Sequence, residues 1–190
     1  MILHYCQEAL ENRLASHKLV LPEGSILCSC AHDSAGMVRA YYRDGMGFLS
    51  RGDVPNALAS FSYALGWLDA AVCLGLIAAS DCGIPLLPES EYRPGAGSGP
   101  LREKTSRYHA LLSRALESLQ TAPEPDTCLS AGAARFLLVS EIFFSQGSKR
   151  EAAGDDRGAL AAYSYGFGWL DAGVRTGLFR VSRNRSLFTI

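Results

Sequence analysis

One segment of twenty-five residues occurs twice in this chain, at an offset of 102 residues, and that repeat narrows the possible folds more than any other feature. The first copy runs from Gly52 to Leu76 and the second from Gly154 to Leu178. They agree at Gly-Asp, Ala-Leu-Ala, Ser-Tyr, Gly-Trp-Leu-Asp-Ala, Val and Gly-Leu, which makes fifteen identities. Both tryptophans of the chain, Trp67 and Trp169, fall in register. A fixed period of this kind marks a tandem duplication of one structural unit. A length of 190 residues suits two units of roughly 90 residues each, the small end of what folds around its own core.

Each copy reads as a helix with an explicit start. Asp53 or Asp155 can accept from the exposed amides of a first turn, and Pro55 stands where a missing N–H costs nothing. Ala57, Phe61, Ala64, Leu68, Ala71 and Gly75 then step by four and three, and Tyr63, Trp67, Ala70 and Leu74 widen the apolar surface beside them. Such a helix needs two covering helices, so it is expected at the centre of its bundle. Upstream lie two further helical patterns per half. In the first half they cover about residues 2–17, and a stretch capped by Asp33 or Ser34 that reaches Leu49. In the second half Tyr108, Leu111, Leu112, Ala115, Leu116 and Leu119 define one, and Ser130 to Ala152 the other. Between the halves, Asp81 to Pro100 holds Pro85, Pro88, Pro94 and Pro100 with Gly95, Gly97 and Gly99, a composition that breaks helices. The expected architecture is therefore all-α, with six main helices: a three-helix repeat over 1–80, a linker over 81–100, and a second three-helix repeat with a C-terminal tail over 101–190.

Eighteen basic against nineteen acidic residues leave a formal charge of −1, which provides no field to attract nucleic acid or an anionic membrane. No basic start followed by an apolar stretch marks an export signal, and no run of eighteen apolar residues is present. The six cysteines lack framework spacing, which suits reduced thiols in a cytoplasm.

Tyr41-Tyr42-Arg43-Asp44-Gly45, Phe48-Leu49, Gly52-Asp53 and Ser62-Tyr63-Ala64-Leu65-Gly66-Trp67-Leu68-Asp69-Ala70 resemble the short archaeal helical proteins grouped as domain of unknown function 357. The resemblance covers about residues 1–78 and again 101–179, as two such units fused. The second copy departs from it in the middle helix, where Ser145-Gln146-Gly147 replaces Arg43-Asp44-Gly45 and Arg150-Glu151 replaces Phe48-Leu49. The resemblance implies an all-helical, cytoplasmic, archaeal protein and supplies no activity.

The residues with chemistry to offer form a stripe on the repeated helix. Ser62, Gly66 and Asp69 share one face, with Ser164, Gly168 and Asp171 as counterparts. If the stripes face each other across a pseudo-twofold axis, they could floor a ligand groove walled by Tyr63, Trp67, Tyr165 and Trp169. Equally, Ser and Gly admit a close helix, and the aspartates then accept from donors inside the bundle. Asp171 also stands four residues before Arg175, in ion-pair spacing. Cys28, Cys30 and His32 are soft ligands without a paired knuckle, so no metal is expected. Gly95 to Gly99 followed by Lys104-Thr105 imitates a phosphate loop, but Glu103 stands where glycine belongs. Arg102 and His109 share a helical face, as in some helical ribonucleases. The basic and then apolar tail, Arg180 to Ile190, reads as a segment docking on its own bundle. The function expected is a non-enzymatic scaffold for a protein partner or for self-association, with no cofactor. The small-molecule groove is the alternative and a ribonuclease the third reading.

Overall fold

The computed structural model describes residues 2–80 and 99–189. Both halves follow one order: helix, short strand, long helix, buried helix, short strand. The first comprises α1 (Ile2–Ser16), β1 (Lys18–Leu19), α2 (Cys28–Ser50), α3 (Val54–Cys73) and β2 (Ile77–Ala78). The second comprises α4 (Gly99–Ser118), β3 (Leu119–Thr121), α5 (Cys128–Ala152), α6 (Asp156–Arg175) and β4 (Phe179–Val181), followed by a 3-10 turn over Arg185–Leu187. The fold is all-α, two tandem units of three helices.

The duplicated Gly-Asp pair makes the corner between the second and third helix of each unit. Gly52 and Gly154 take φ of 75° and 81°, a conformation glycine adopts at no steric cost, and so end α2 and α5. Asp53 Oδ1 then accepts from the Asn56 amide at 3.2 Å, and Asp155 Oδ1 from the Gly158 amide at 2.8 Å, starting α3 and α6. The far ends match as well. Gly75 and Gly177 have positive φ, and the amides of Leu76 and Leu178 reach back to the carbonyls of Ala71 and Gly173.

Three expectations need correction. Asp33 and Ser34 do not cap α2, which begins at Cys28 after Leu27. Asp33 instead pairs with Arg175 of the other unit at 2.7 Å, so Arg175 is engaged there rather than with Asp171. Four short strands also appear that no pattern announced, because two or three residues cannot display alternation. In each unit the strand after the first helix pairs antiparallel with the strand after the third, in equivalent registers: Lys18 opposite Ala78 and Gln120 opposite Arg180. Of the linker, Asp81 to Ser98 lie outside the described residues, while Gly99 and Pro100 belong to the first turn of α4, where proline is tolerated.

The core is centred on α3 and α6. Every residue from Ala57 to Ala71, and every one from Gly158 to Val174, is buried, the pattern of a helix covered all round. α3 is covered by α1, α2 and α6, and α6 by α4, α5 and α3. Periodicity predicted two covering helices, and the third is the central helix of the opposite unit. In each unit an aromatic ring of the central helix sits against a glycine of the helix before it: Phe61 against Gly45 and Tyr163 against Gly147.

Candidate functional site

The ten residues singled out from the sequence lie in or beside one seam, where α3 crosses α6. All ten are buried, and Tyr63, Gly66 and Asp69 meet Tyr165, Gly168 and Asp171 across it. The face predicted to floor a groove is the face along which the two helices touch. A Cβ on Gly168 would stand 2.5 Å from the Tyr63 carbonyl oxygen and 3.1 Å from Gly66 Cα. A Cβ on Gly66 would overlap the Tyr165 carbonyl oxygen. Only glycine on both helices allows this backbone approach.

The polar contacts across the seam are reciprocal. Tyr165 donates its hydroxyl to Asp69 Oδ2 at 2.8 Å, and Tyr63 donates to Asp171 Oδ2. Each carboxylate thus accepts a phenol from the other unit. Among the described residues the buried hydroxyl of Ser164 has no hydrogen-bond partner, while the Ser62 hydroxyl lies 3.6 Å from Cys6 Sγ. The tryptophans serve by packing: Trp169 lies edge-on to Phe136 with ring centroids 4.8 Å apart.

The symmetry breaks at the remaining carboxylate oxygens. Asp69 Oδ1 accepts from the Arg13 guanidinium of α1 at 2.5 Å, a buried ion pair. The residue in the place of Arg13 in the second unit is Ala115, which is fully buried. Asp171 Oδ1 accepts instead from the backbone N–H of Thr189 at 3.0 Å, and Oδ2 from the Thr189 hydroxyl at 2.5 Å. Phe188, just before it, is buried and stacks on Phe167 at 6.2 Å. The sequence named the aspartates but neither of these partners. Arg13 did leave a signal, because it falls on the same helical stripe as Ile2, Cys6 and Leu10, where an arginine needs an acid. Thr189 left none.

Burial governs the titration of the seam. It raises both carboxyls above the ordinary aspartate value, against the opposing pull of Arg13 and Tyr165 on Asp69 and of Thr189 and Tyr63 on Asp171. Burial, and then the carboxylate across the seam, lift the Tyr63 and Tyr165 phenols well above their usual range. The Cys6 thiol is pushed up to about 11 by burial, so it is no nucleophile at neutral pH.

Other candidates are dispersed. Arg102 faces Asp156 at 3.6 Å, while the partly exposed His109 stacks beside the rings of Phe144 and Tyr163 with Glu151 at 4.0 Å, so the two engage different carboxylates. Glu151 in turn accepts from the Tyr163 hydroxyl at 2.7 Å. Cys28 and His32 lie in the first turns of α2, with Cys30 between them. Among the described residues no three His, Cys, Asp or Glu side chains come close enough to hold a metal ion. Lys104 donates to Asn56 across the units, and the Thr105 hydroxyl donates to the Leu101 and Asp156 carbonyls. Gly95 to Ser98 of the supposed phosphate loop lie outside the described residues.

The helix α5 has a different character. By length and composition it could cross a membrane, and 28% of its apolar stretch is buried. Ala133, Phe136, Val139, Ser140, Phe143 and Gly147 form its buried face, and α6 is its chief neighbour. On the outer side Leu138 and Ile142, one turn apart, are 55% and 41% exposed. Ala131 and Ala134 continue that stripe toward the N-terminus, with Arg135 and Glu141 on its two edges.

A helical protein of two docked copies of one three-helix unit, joined by reciprocal tyrosine–aspartate bonds, is thus the class that fold and seam define. The family model for the protein of unknown function DUF357 matches twice, over residues 5–77 and 107–179, and the chain belongs to that family. Neither a curated protein nor a solved structure matches it.

Proposed function

We propose that this protein is a non-enzymatic interaction scaffold, which binds a protein partner or a second copy of itself through the outer face of α5. The observation that carries this reading is the pair Leu138 and Ile142, large aliphatic side chains on one ridge of an ordered helix and left in water. Contiguous apolar surface rimmed by charge is what a partner helix covers, and each such side chain contributes about 1.5–3 kcal/mol when fully buried. The internal chemistry supports the same reading. The acids, phenols and buried thiol of the seam are engaged within the fold.

A photo-reactive phenylalanine analogue at position 142, with a control at His32, tests this in the native host alongside sedimentation equilibrium of the purified chain. The scaffold reading expects one discrete cross-linked species from 142, either a heterologous protein or the chain itself, lost when Leu138→Glu is added. A chain that sediments as a monomer at every concentration and gives no adduct above the control would overturn it.

A further inference from the structure

The two halves of the seam compare one site in two states. In the first unit Asp69 Oδ2 holds a phenol from the opposite unit and Oδ1 holds a guanidinium. In the second unit Asp171 Oδ2 holds the equivalent phenol, but Oδ1 holds the Thr189 amide, because Ala115 stands where Arg13 would be. The equivalence does not depend on the central helices alone. Leu10 of α1 and Leu112 of α4, one turn before Arg13 and Ala115, are both fully buried, and the strands that follow pair in matching registers.

The closing segment is lightly held. Ser182, Arg183 and Asn184 are tied to the end of α4 through the Ser118 and Glu117 carbonyls and the Ser118 hydroxyl. Asn184 then turns the chain with a φ of 54°. Among the described residues beyond it Arg185, Ser186 and Thr189 are exposed, and these are held by the Phe188 ring, the partly buried Leu187 and the two bonds of Thr189 to Asp171. Segments with so few buried contacts open at low cost.

We propose that the second unit carries a guanidinium-binding site at Asp171, with Tyr63 as the fixed second donor to the carboxylate and residues 185–189 as a strap that closes it. The ligand is a guanidinium group, supplied either by a small free guanidine or by an arginine side chain of a polypeptide. It enters as the strap lifts and takes the oxygen now held by the Thr189 amide. A guanidinium suits the place for two reasons. It is planar, weakly hydrated and bonds carboxylates through a fixed fork of donors, and the same environment already accepts one in the first unit. The site lies apart from the outer face of α5 and stands or falls separately from the scaffold reading.

Three variants of the full chain test it. Thr189→Pro removes both strap donors, since proline has neither the amide hydrogen nor the hydroxyl. It is expected to bind N-acetyl-argininamide, followed by the shifts of strap and α4 amide resonances, at least tenfold more tightly than N-acetyl-norleucinamide. Adding Asp171→Asn abolishes that preference. A pentapeptide with one central arginine is measured in parallel. Binding of the peptide as tight as that of the amide identifies a polypeptide arginine as the ligand, and binding of the amide alone identifies a small guanidine. Ala115→Arg supplies a guanidinium internally and serves if Thr189→Pro does not fold. It is expected to displace the strap, with hydrogen exchange at the Thr189 amide accelerated at least tenfold in a folded protein. A folded Thr189→Pro chain with no preference for arginine overturns the proposal, and so does a folded Ala115→Arg chain that still protects the Thr189 amide.

Discussion

Gly168→Ala adds one methyl group at the tightest point of the molecule, and its cost can be worked from the geometry. The new carbon would lie 2.5 Å from the Tyr63 carbonyl oxygen, whereas ordinary contact begins at 3.4 Å. All three nearest atoms, that oxygen, Gly66 Cα and the Trp67 amide nitrogen, are backbone, so no side chain can swing aside. The helices must part by roughly 1 Å, enough to forfeit a quarter to a half of each dispersion contact that the gap opens. Parting them also stretches the two tyrosine–aspartate bonds. Overpacking of this kind costs about 1–3 kcal/mol, and alanine returns about 1 kcal/mol through its better helix propensity. With two charged hydrogen bonds strained as well, a net loss of about 2 kcal/mol is expected, or about 1 M in a urea midpoint at a typical slope of about 2 kcal/mol per M. Gly36→Ala in α2 is the control. A Cβ there meets nothing within 4 Å, so stability should rise by up to about 1 kcal/mol. Gly66→Ala combined with Gly168→Ala should cost less than the sum of the two, since one separation relieves both. If Gly168→Ala unfolds at the same urea concentration as the parent, or higher, the close crossing is not how α3 and α6 pack.

Two further outcomes follow from the polar groups of the seam. Arg13→Ala leaves the Asp69 carboxylate buried without its cation and should cost about 3–5 kcal/mol at pH 7. Because burial already raises the Asp69 pKa, the folded state binds the proton more tightly than the unfolded one, so the deficit should shrink as pH falls toward 4 and Asp69→Asn should recover part of it. Urea midpoints of the three chains between pH 4 and 8 check this, and a deficit independent of pH would refute it. At the alkaline end the folded chain keeps the Tyr63 and Tyr165 protons, and that of Cys6 up to about 11, while the unfolded chain releases its phenol protons near 10 and its thiol proton near 9. Stability should therefore fall as pH rises from 9 to 11, and less steeply in Tyr63→Phe; a flat profile for the parent would count against burial of the phenols.

The sequence disclosed what is periodic and hid what is singular. Both central helices, their aspartate caps and their burial were readable because fifteen paired identities and a 3.6-residue apolar rhythm all repeat the same message. The seam itself was half readable: small residues at Gly66 and Gly168 announce a close neighbour, but a helix and a ligand ask for the same space. Residues that reach across long separations left no such pattern. Thr189 meets Asp171 through a turn at Asn184, and Arg175 passes over Asp171 for Asp33, more than 100 residues away, a choice set by tertiary packing. The start of α2 was misplaced for a related reason. Asp33 and Ser34 have the chemistry of a cap, but the helix begins earlier, at Cys28, where no side chain caps it.

The crossed tyrosine–aspartate bonds have a consequence for how the smallest self-sufficient object in this fold is counted. Each half lends a phenol to the other's acid and receives one in return, so a half standing alone would hold a hydroxyl with no acceptor and a carboxylate short of a donor. The molecule is in effect a dimer of two similar but non-identical protomers that share one backbone. The covalent join sets how often they meet, not how they fit.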